Sequence, residues 1–315
     1  MASTSKRPPV RRRPGAPTKA AAAARPAGVR GWIGAARPRT LPLAIAPVAL
    51  GTAAVWGQRL PGTYWLAFLA LAVALLLQVG VNFANDYSDG IRGTDRYRVG
   101  PARLTASGGA KPRTVLVAAI VCFVLAAIAG VVIVVVTQQW WLLAVGAVAI
   151  AAAWFYTGGK RPYGYAGFGE IAVFLFFGVV ATVGTSFVIA RVATAESWFC
   201  ALAIGCIASA VLVVNNLRDI EQDAAAGKRT LSVRIGSRGS RILFGILMAI
   251  PFLVVGYLTA FYPLAPLVFL VLLLAVPAVL ITATAKTARE LITALSLTGI
   301  TALVYGLGLA AALSF

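Results

Sequence analysis

The chain has 315 residues, of which 60% are hydrophobic and 12% charged, and a formal net charge of +19. That balance excludes an ordinary water-soluble domain, and the absence of histidine excludes His-based triads, His metal ligands and His general bases. The positive charge does not indicate nucleic acid: the basic residues are scattered among short loops between apolar segments, where membrane topology and anionic lipid account for them.

Taken in order, residues 1–30 are rich in Arg, Pro and Ala and read as a disordered basic tail, followed by a membrane domain over 31–315. No isolated short apolar segment precedes the first span, so a cleaved signal is not expected. Apolar segments close to the roughly 20 residues that cross a bilayer follow at 40–57, 64–86, 114–137, 140–157, 168–190, 198–218, 241–260, 263–283 and 291–314. The expected fold is an all-α integral membrane bundle of nine transmembrane helices. Cys122, Cys200 and Cys206 fall inside these apolar segments without a CxxC pair, so neither a disulfide framework nor a zinc site is expected.

Charge supports the count of nine. With the N-terminus cytoplasmic, the tail and the loops after the second, fourth, sixth and eighth spans hold 26 of the 28 Lys and Arg residues, leaving only Arg59 and Arg191 on the other side. The C-terminus is then outside.

Six of the nine acidic residues form two clusters, Asp86, Asp89 and Asp95 after the second span and Asp219, Glu221 and Asp223 after the sixth. Both clusters fall on the cytoplasmic side. Asn82, Asp86 and Asp89 are spaced i, i+4, i+7, and Asn215, Asp219 and Asp223 i, i+4, i+8, so each set can project from one helix face. Glu221 should point off that face, and Asp95 lies outside its register. Two facing anionic clusters call for bound metal, and hard oxygen donors suit Mg2+, which takes one or two carboxylates and shares its remaining positions with water and phosphate. Cations stand nearby: Arg92 and Arg96, Lys160 and Arg161, Arg218, Lys228 and Arg229. Acids for metal beside bases fit a polyphosphate. There is no GxxxxGK[ST] string, so a P-loop is excluded. A diphosphate on a lipid-soluble group suits the location.

The paired motifs, NxxxDxxD over Asn82 to Asp89 and DxxxD over Asp219 to Asp223, resemble those of the UbiA superfamily of intramembrane prenyltransferases. ARPRTLPLAIAP from residue 36, NDYSDGIRGTD from Asn85, YTGGKRPYGYAGFGE from Tyr156 and NNLRDIEQDAAAGKRTLSVRIG from Asn215 resemble the branch that prenylates 1,4-dihydroxy-2-naphthoate for menaquinone. The resemblance implies helices around a central cavity open to lipid, and Mg2+-dependent transfer of a polyprenyl group from its diphosphate to the naphthoate ring with loss of CO2, giving demethylmenaquinol. It implies one Mg2+ on Asn82, Asp86 and Asp89 and a second on Asn215 or Asn216, Asp219 and Asp223. The diphosphate would meet Arg92, Lys160, Arg161, Arg218, Lys228 and Arg229, and the aromatic acceptor Arg37, Arg39 and Tyr156. Another acceptor, such as 4-hydroxybenzoate or homogentisate, stays open at this point, as does a transporter. Prenyl chain length, oligomeric state and the parts played by Asp95 and Glu170 are not legible in the residues.

Overall fold

The computed structural model describes residues 26–94 and 103–315, so Asp95, Arg96 and Arg98 lie outside the described residues. The described chain is helical. In order it forms α1 (Val29–Ala36), α2 (Pro42–Trp56), α3 (Leu66–Arg92), α4 (Pro112–Thr137), α5 (Leu142–Phe155), α6 (Gly169–Val173), α7 (Ala181–Ala190), α8 (Ala195–Arg218), α9 (Ile220–Ala225), α10 (Leu231–Leu258), α11 (Leu272–Thr284) and α12 (Ala288–Ser314). A π-helical stretch, Phe174–Val180, joins α6 to α7 into one continuous apolar segment.

Local sequence explains the ends of these helices. Pro42 and Pro112 open α2 and α4, where a missing N–H costs nothing. Thr194, Thr230 and Thr287 cap the starts of α8, α10 and α12 with their side chains, the last in a full capping box with Glu290. Gly93, at φ 74°, ends α3 in the left-handed conformation that glycine tolerates. At the end of α11, Arg241 reaches across from α10 and donates to the carbonyls of Thr282, Ala283 and Ala285, satisfying groups the helix leaves open.

Among the described residues, seven helices are long and apolar enough to cross a membrane, or eight if the bent pair Val29–Thr40 and Pro42–Trp56, with 46° between them, counts as one span. Each of the nine segments expected from sequence is helical. The expectation of nine crossings nevertheless exceeds the seven or eight that meet the length requirement, because Leu142–Phe155 has only 14 residues, about 21 Å of helix. The expected tail boundary at residue 30 also falls inside α1, which begins at Val29 and is preceded by an Ala27 N–H to Gly109 carbonyl bond of 2.7 Å.

Burial separates the helices sharply. In α8, 78% of the most apolar window is buried, against 28% in α3 and α4, so α8 is the helix the others pack around. Its backbone comes very close to the π-helical stretch at Gly178 and Gly205, where a Cβ on Gly178 would stand 2.7 Å from the Cα of Gly205; small residues at such crossings are what membrane helices use to pack. On the far side, α4 turns Val117, Val121, Val124, Ile128 and Val135 outward, a surface suited to acyl chains. Buried polar residues gather elsewhere: Asn82, Asn85, Asp86, Asp89, Asn216, Arg218 and Asp219 sit at the C-terminal ends of α3 and α8, with Lys228 on the loop beyond.

Candidate active site

The C-terminal ends of α3 and α8 close one end of a cavity of about 840 Å3. Asn82, Asn85 and Asp89 from α3 and Asn215, Asn216, Arg218 and Asp219 from the α8 end line that polar end, with Asp223 and Lys228 beyond. Away from it the walls are apolar, supplied by α3, α4, α5, the π-helical stretch with Phe176 and Phe177, and α7.

Lys228 joins the two acidic ends. Its Nζ stands 3.6 Å from Asp89 Oδ2 and 3.7 Å from Asp223 Oδ1, and 4.5 Å from the centre of the Tyr165 ring. Tyr165 donates its hydroxyl to Asp89 Oδ1. Burial first, and then the Asp89 carboxylate, raise the Tyr165 pKa, so the phenol stays protonated and keeps donating through the neutral range. On the α8 side Arg218 is held by its neighbour, with Nε 2.7 Å from Asp219 Oδ1, and it also donates to Asn215 Oδ1 at 3.0 Å. The Asn216 amide donates to Glu170 Oε1 at 2.9 Å, while the Ser209 hydroxyl bonds the Glu170 backbone carbonyl, so Glu170 acts on the site by fixing Asn216.

The first acidic end differs from its sequence reading. Asp86 is fully buried, and its two oxygens accept the backbone N–H groups of Leu104 and Thr105, each at 2.9 Å. It does not line the cavity. The side chain at cavity level is Asn85, whose Oδ1 accepts the Thr157 hydroxyl at 2.7 Å. Residues 82, 86 and 89 and residues 82, 85 and 89 share a helix face almost equally well at 100° per residue. The loop after α3 decides between them by docking its N–H groups on Asp86. Asn85 was recognisable from its i, i+4 spacing to Asp89 within NDYSD. Tyr165 carried no such signal, because only the folded loop brings it to Asp89.

The other expected residues are distributed as follows. Arg92 does not line the cavity; it donates to the backbone carbonyls of Thr157 and Gly159 and lies 5.6 Å from the Tyr165 ring, clamping the loop after α5. Lys160, Arg161 and Arg229 are exposed and also stand outside the cavity lining. Arg37, Arg39 and Tyr156 do line it. Arg37 sits at the left-handed turn between α1 and α2, Arg39 reaches Ser296 Oγ at 3.4 Å, and Tyr156 packs edge-on against Tyr163 at 5.6 Å. Asn82 ties this turn to α3 through bonds to the Ala36 carbonyl (3.0 Å) and Thr40 Oγ1 (3.2 Å).

The sequence profile of the UbiA prenyltransferase family matches residues 44–298. The chain belongs to that family. It is 50% identical over 289 residues to the 1,4-dihydroxy-2-naphthoate octaprenyltransferase of Mycobacterium tuberculosis (strain ATCC 25618 / H37Rv), covering 90% of this chain and 97% of the relative. Two solved structures share the fold. A UbiA homolog from Aeropyrum pernix K1 aligns with a TM-score of 0.65 at 15% identity, over 84% of this chain and 96% of that one. A UbiA homolog from Archaeoglobus fulgidus bound to GPP and Mg2+ aligns with a TM-score of 0.61 at 16% identity, over 89% and 99%.

Among the described residues no three acidic, His or Cys side chains converge to form a closed metal cage. Mg2+ does not need one. It characteristically takes one or two carboxylates and completes its shell with water and substrate phosphate, and the cavity's polar end is lined by Asp89, Asp219 and Asp223 together with Asn85, Asn215 and Asn216. The donor set is hard oxygen throughout, so the residues fit this ion.

Proposed function

We propose that this chain transfers a polyprenyl group from its diphosphate to 1,4-dihydroxy-2-naphthoate within the membrane, releasing diphosphate and CO2 and giving demethylmenaquinol. The observation that carries the reading is the meeting of Asp89 and Asp223 across Lys228 at the head of a long apolar cavity. The mycobacterial relative of that name, alike over nearly its whole length, supports the choice of acceptor.

In this reading Asn85 and Asp89 hold one Mg2+, and Asp219 and Asp223 with Asn215 or Asn216 hold a second; Asp86 is the anchor of the neighbouring loop. When bound, Mg2+ neutralises the charge that builds on the departing diphosphate. Lys228 adds a fixed positive charge between the two acidic ends, and Arg218, oriented by Asp219 and Asn215, adds another. Tyr165 holds Asp89 in place with a hydrogen bond that keeps its direction because the phenol does not ionise. The apolar walls receive the prenyl tail and keep water from the allylic carbon as its bond to oxygen breaks, so the ring carbon is the available nucleophile. Arg37 and Arg39 meet the acceptor's carboxylate and Tyr156 its ring. Arg92 acts as the clamp of the loop carrying Lys160 and Arg161.

The membrane domain begins with α1 and crosses the bilayer nine times, with the short α5 completing the count. The N-terminus and both acidic ends face the cytoplasm and the C-terminus lies outside, the arrangement that puts 26 of 28 basic residues on one side.

The test is an acceptor panel with purified membranes and prenyl diphosphates of several lengths. Dihydroxynaphthoate is expected to react fastest; faster turnover of 4-hydroxybenzoate or homogentisate overturns the acceptor, and no turnover with any aromatic acceptor overturns the reaction.

A further inference from the structure

Gln78 lies on α3 below the acidic end, about 10 Å down the helix from Asn85, where the cavity changes from polar to apolar. It is 5% exposed and lines the cavity. Its Nε2 stands 2.6 Å from Thr40 Oγ1, while its Oε1 is buried and has no hydrogen-bond partner among the described residues.

The bonds of Thr40 fix which end of this amide is which. The Thr40 hydroxyl donates its one hydrogen to the Arg37 carbonyl at 2.9 Å, so toward α3 it can only accept. The Gln78 atom facing it must therefore be the NH2, and the carbonyl oxygen is the one left open. A buried acceptor without a donor costs about 1–3 kcal/mol, which a ligand supplying a donor at that point recovers. The same Thr40 is tied to the turn carrying Arg37 and Arg39, so Gln78 is coupled to the residues assigned above to the acceptor's carboxylate.

We propose that Gln78 Oε1 accepts a hydrogen bond from a ring hydroxyl of the aromatic acceptor and thereby selects a dihydroxylated ring. The inference rests on the acceptor reading given under the proposed function. In 1,4-dihydroxy-2-naphthoate the 1-hydroxyl lies beside the carboxylate and bonds it internally, so the 4-hydroxyl is the free donor. With the carboxylate held by the α1–α2 turn, this hydroxyl meets the Gln78 carbonyl, and Thr40 is the positioning residue that keeps the amide facing inward. Sites built to pair a substrate hydroxyl discriminate strongly against analogues that lack it.

The experiment compares 1,4-dihydroxy-2-naphthoate as substrate with 1-hydroxy-2-naphthoate as competitive inhibitor, in wild-type enzyme, Gln78→Met and Thr40→Val. Wild-type enzyme is expected to favour the diol by about tenfold. In Gln78→Met that preference collapses toward unity while KM for the prenyl diphosphate is unchanged, and in Thr40→Val it falls part of the way. Equal weakening of both naphthoates, an intact diol preference in either variant, or a shifted KM for the diphosphate overturns the proposal. If Gln78→Met does not fold, the Thr40→Val comparison decides alone. A wild-type enzyme that prenylates no naphthoate fails the acceptor reading, whereas one that prenylates the diol and keeps its selectivity in the variants overturns Gln78 only.

Discussion

At the end of α3 the helix runs unbroken through Asn82, Asn85, Asp86 and Asp89, whereas at the end of α8 it breaks at Asp219, and Asp223 is carried on the separate six-residue α9. The first end holds its acids from outside: loop N–H groups on Asp86, Tyr165 and Lys228 on Asp89. At the second, Arg218 pairs to the next residue, Asp219, and to Asn215 one turn back, while Glu170 holds Asn216 and Lys228 meets Asp223. In sequence the two motifs look like copies. In three dimensions one runs along a continuous helix and the other across a break, and Lys228 touches both.

Removing divalent metal tests what the two ends have in common. A chelator should abolish turnover and added Mg2+ should restore it; full rates without divalent metal would show that the ends meet for some other purpose. Asp89→Ala and Asp223→Ala come next, each expected to lower turnover by about 10^2–10^3-fold without preventing membrane insertion. Retained turnover in either variant breaks the symmetry the proposal assigns to them.

Asp86→Ala sharpens the contrast within α3. It leaves the buried N–H groups of Leu104 and Thr105 without acceptors, so the expected result is a stability loss of about 2–3 kcal/mol, seen as a lower Tm in detergent, with turnover falling far less than in Asp89→Ala. An Asp86→Ala enzyme with normal Tm and no turnover would return Asp86 to the metal. The smallest effect is expected from Tyr165→Phe, which removes one hydrogen bond to Asp89 while leaving the ring beside Lys228. A drop of about three- to tenfold in turnover, with no change in acceptor KM, fits a residue that positions Asp89; unchanged turnover means that Lys228 holds Asp89 unaided.

Much of the fold was legible in the residues. All nine apolar segments are helices, and the two acidic groups lie at helix ends that meet. The crossing count was less secure because apolar length alone does not distinguish a full span from the short α5. Within the site, Asp89, Asp219 and Asp223 line one cavity, as do Arg37, Arg39 and Tyr156. For Arg92 a guanidinium beside an acidic motif has the same sequence signature whether it meets phosphate or backbone carbonyls, and in the structure it donates to the carbonyls of Thr157 and Gly159.

The sequence by itself determined that this is a membrane bundle, that its chemistry runs without histidine, and that its carboxylates gather where apolar helices end, because burying unpaired charge deeper in lipid is too costly. Helical periodicity confines a side chain to a face about 100° wide, too coarse to choose between Asn85 and Asp86 or to foresee Tyr165. Those choices belonged to the tertiary structure, since they depend on which loop donates to which oxygen, and residues distant in the chain come into contact only after the helices pack.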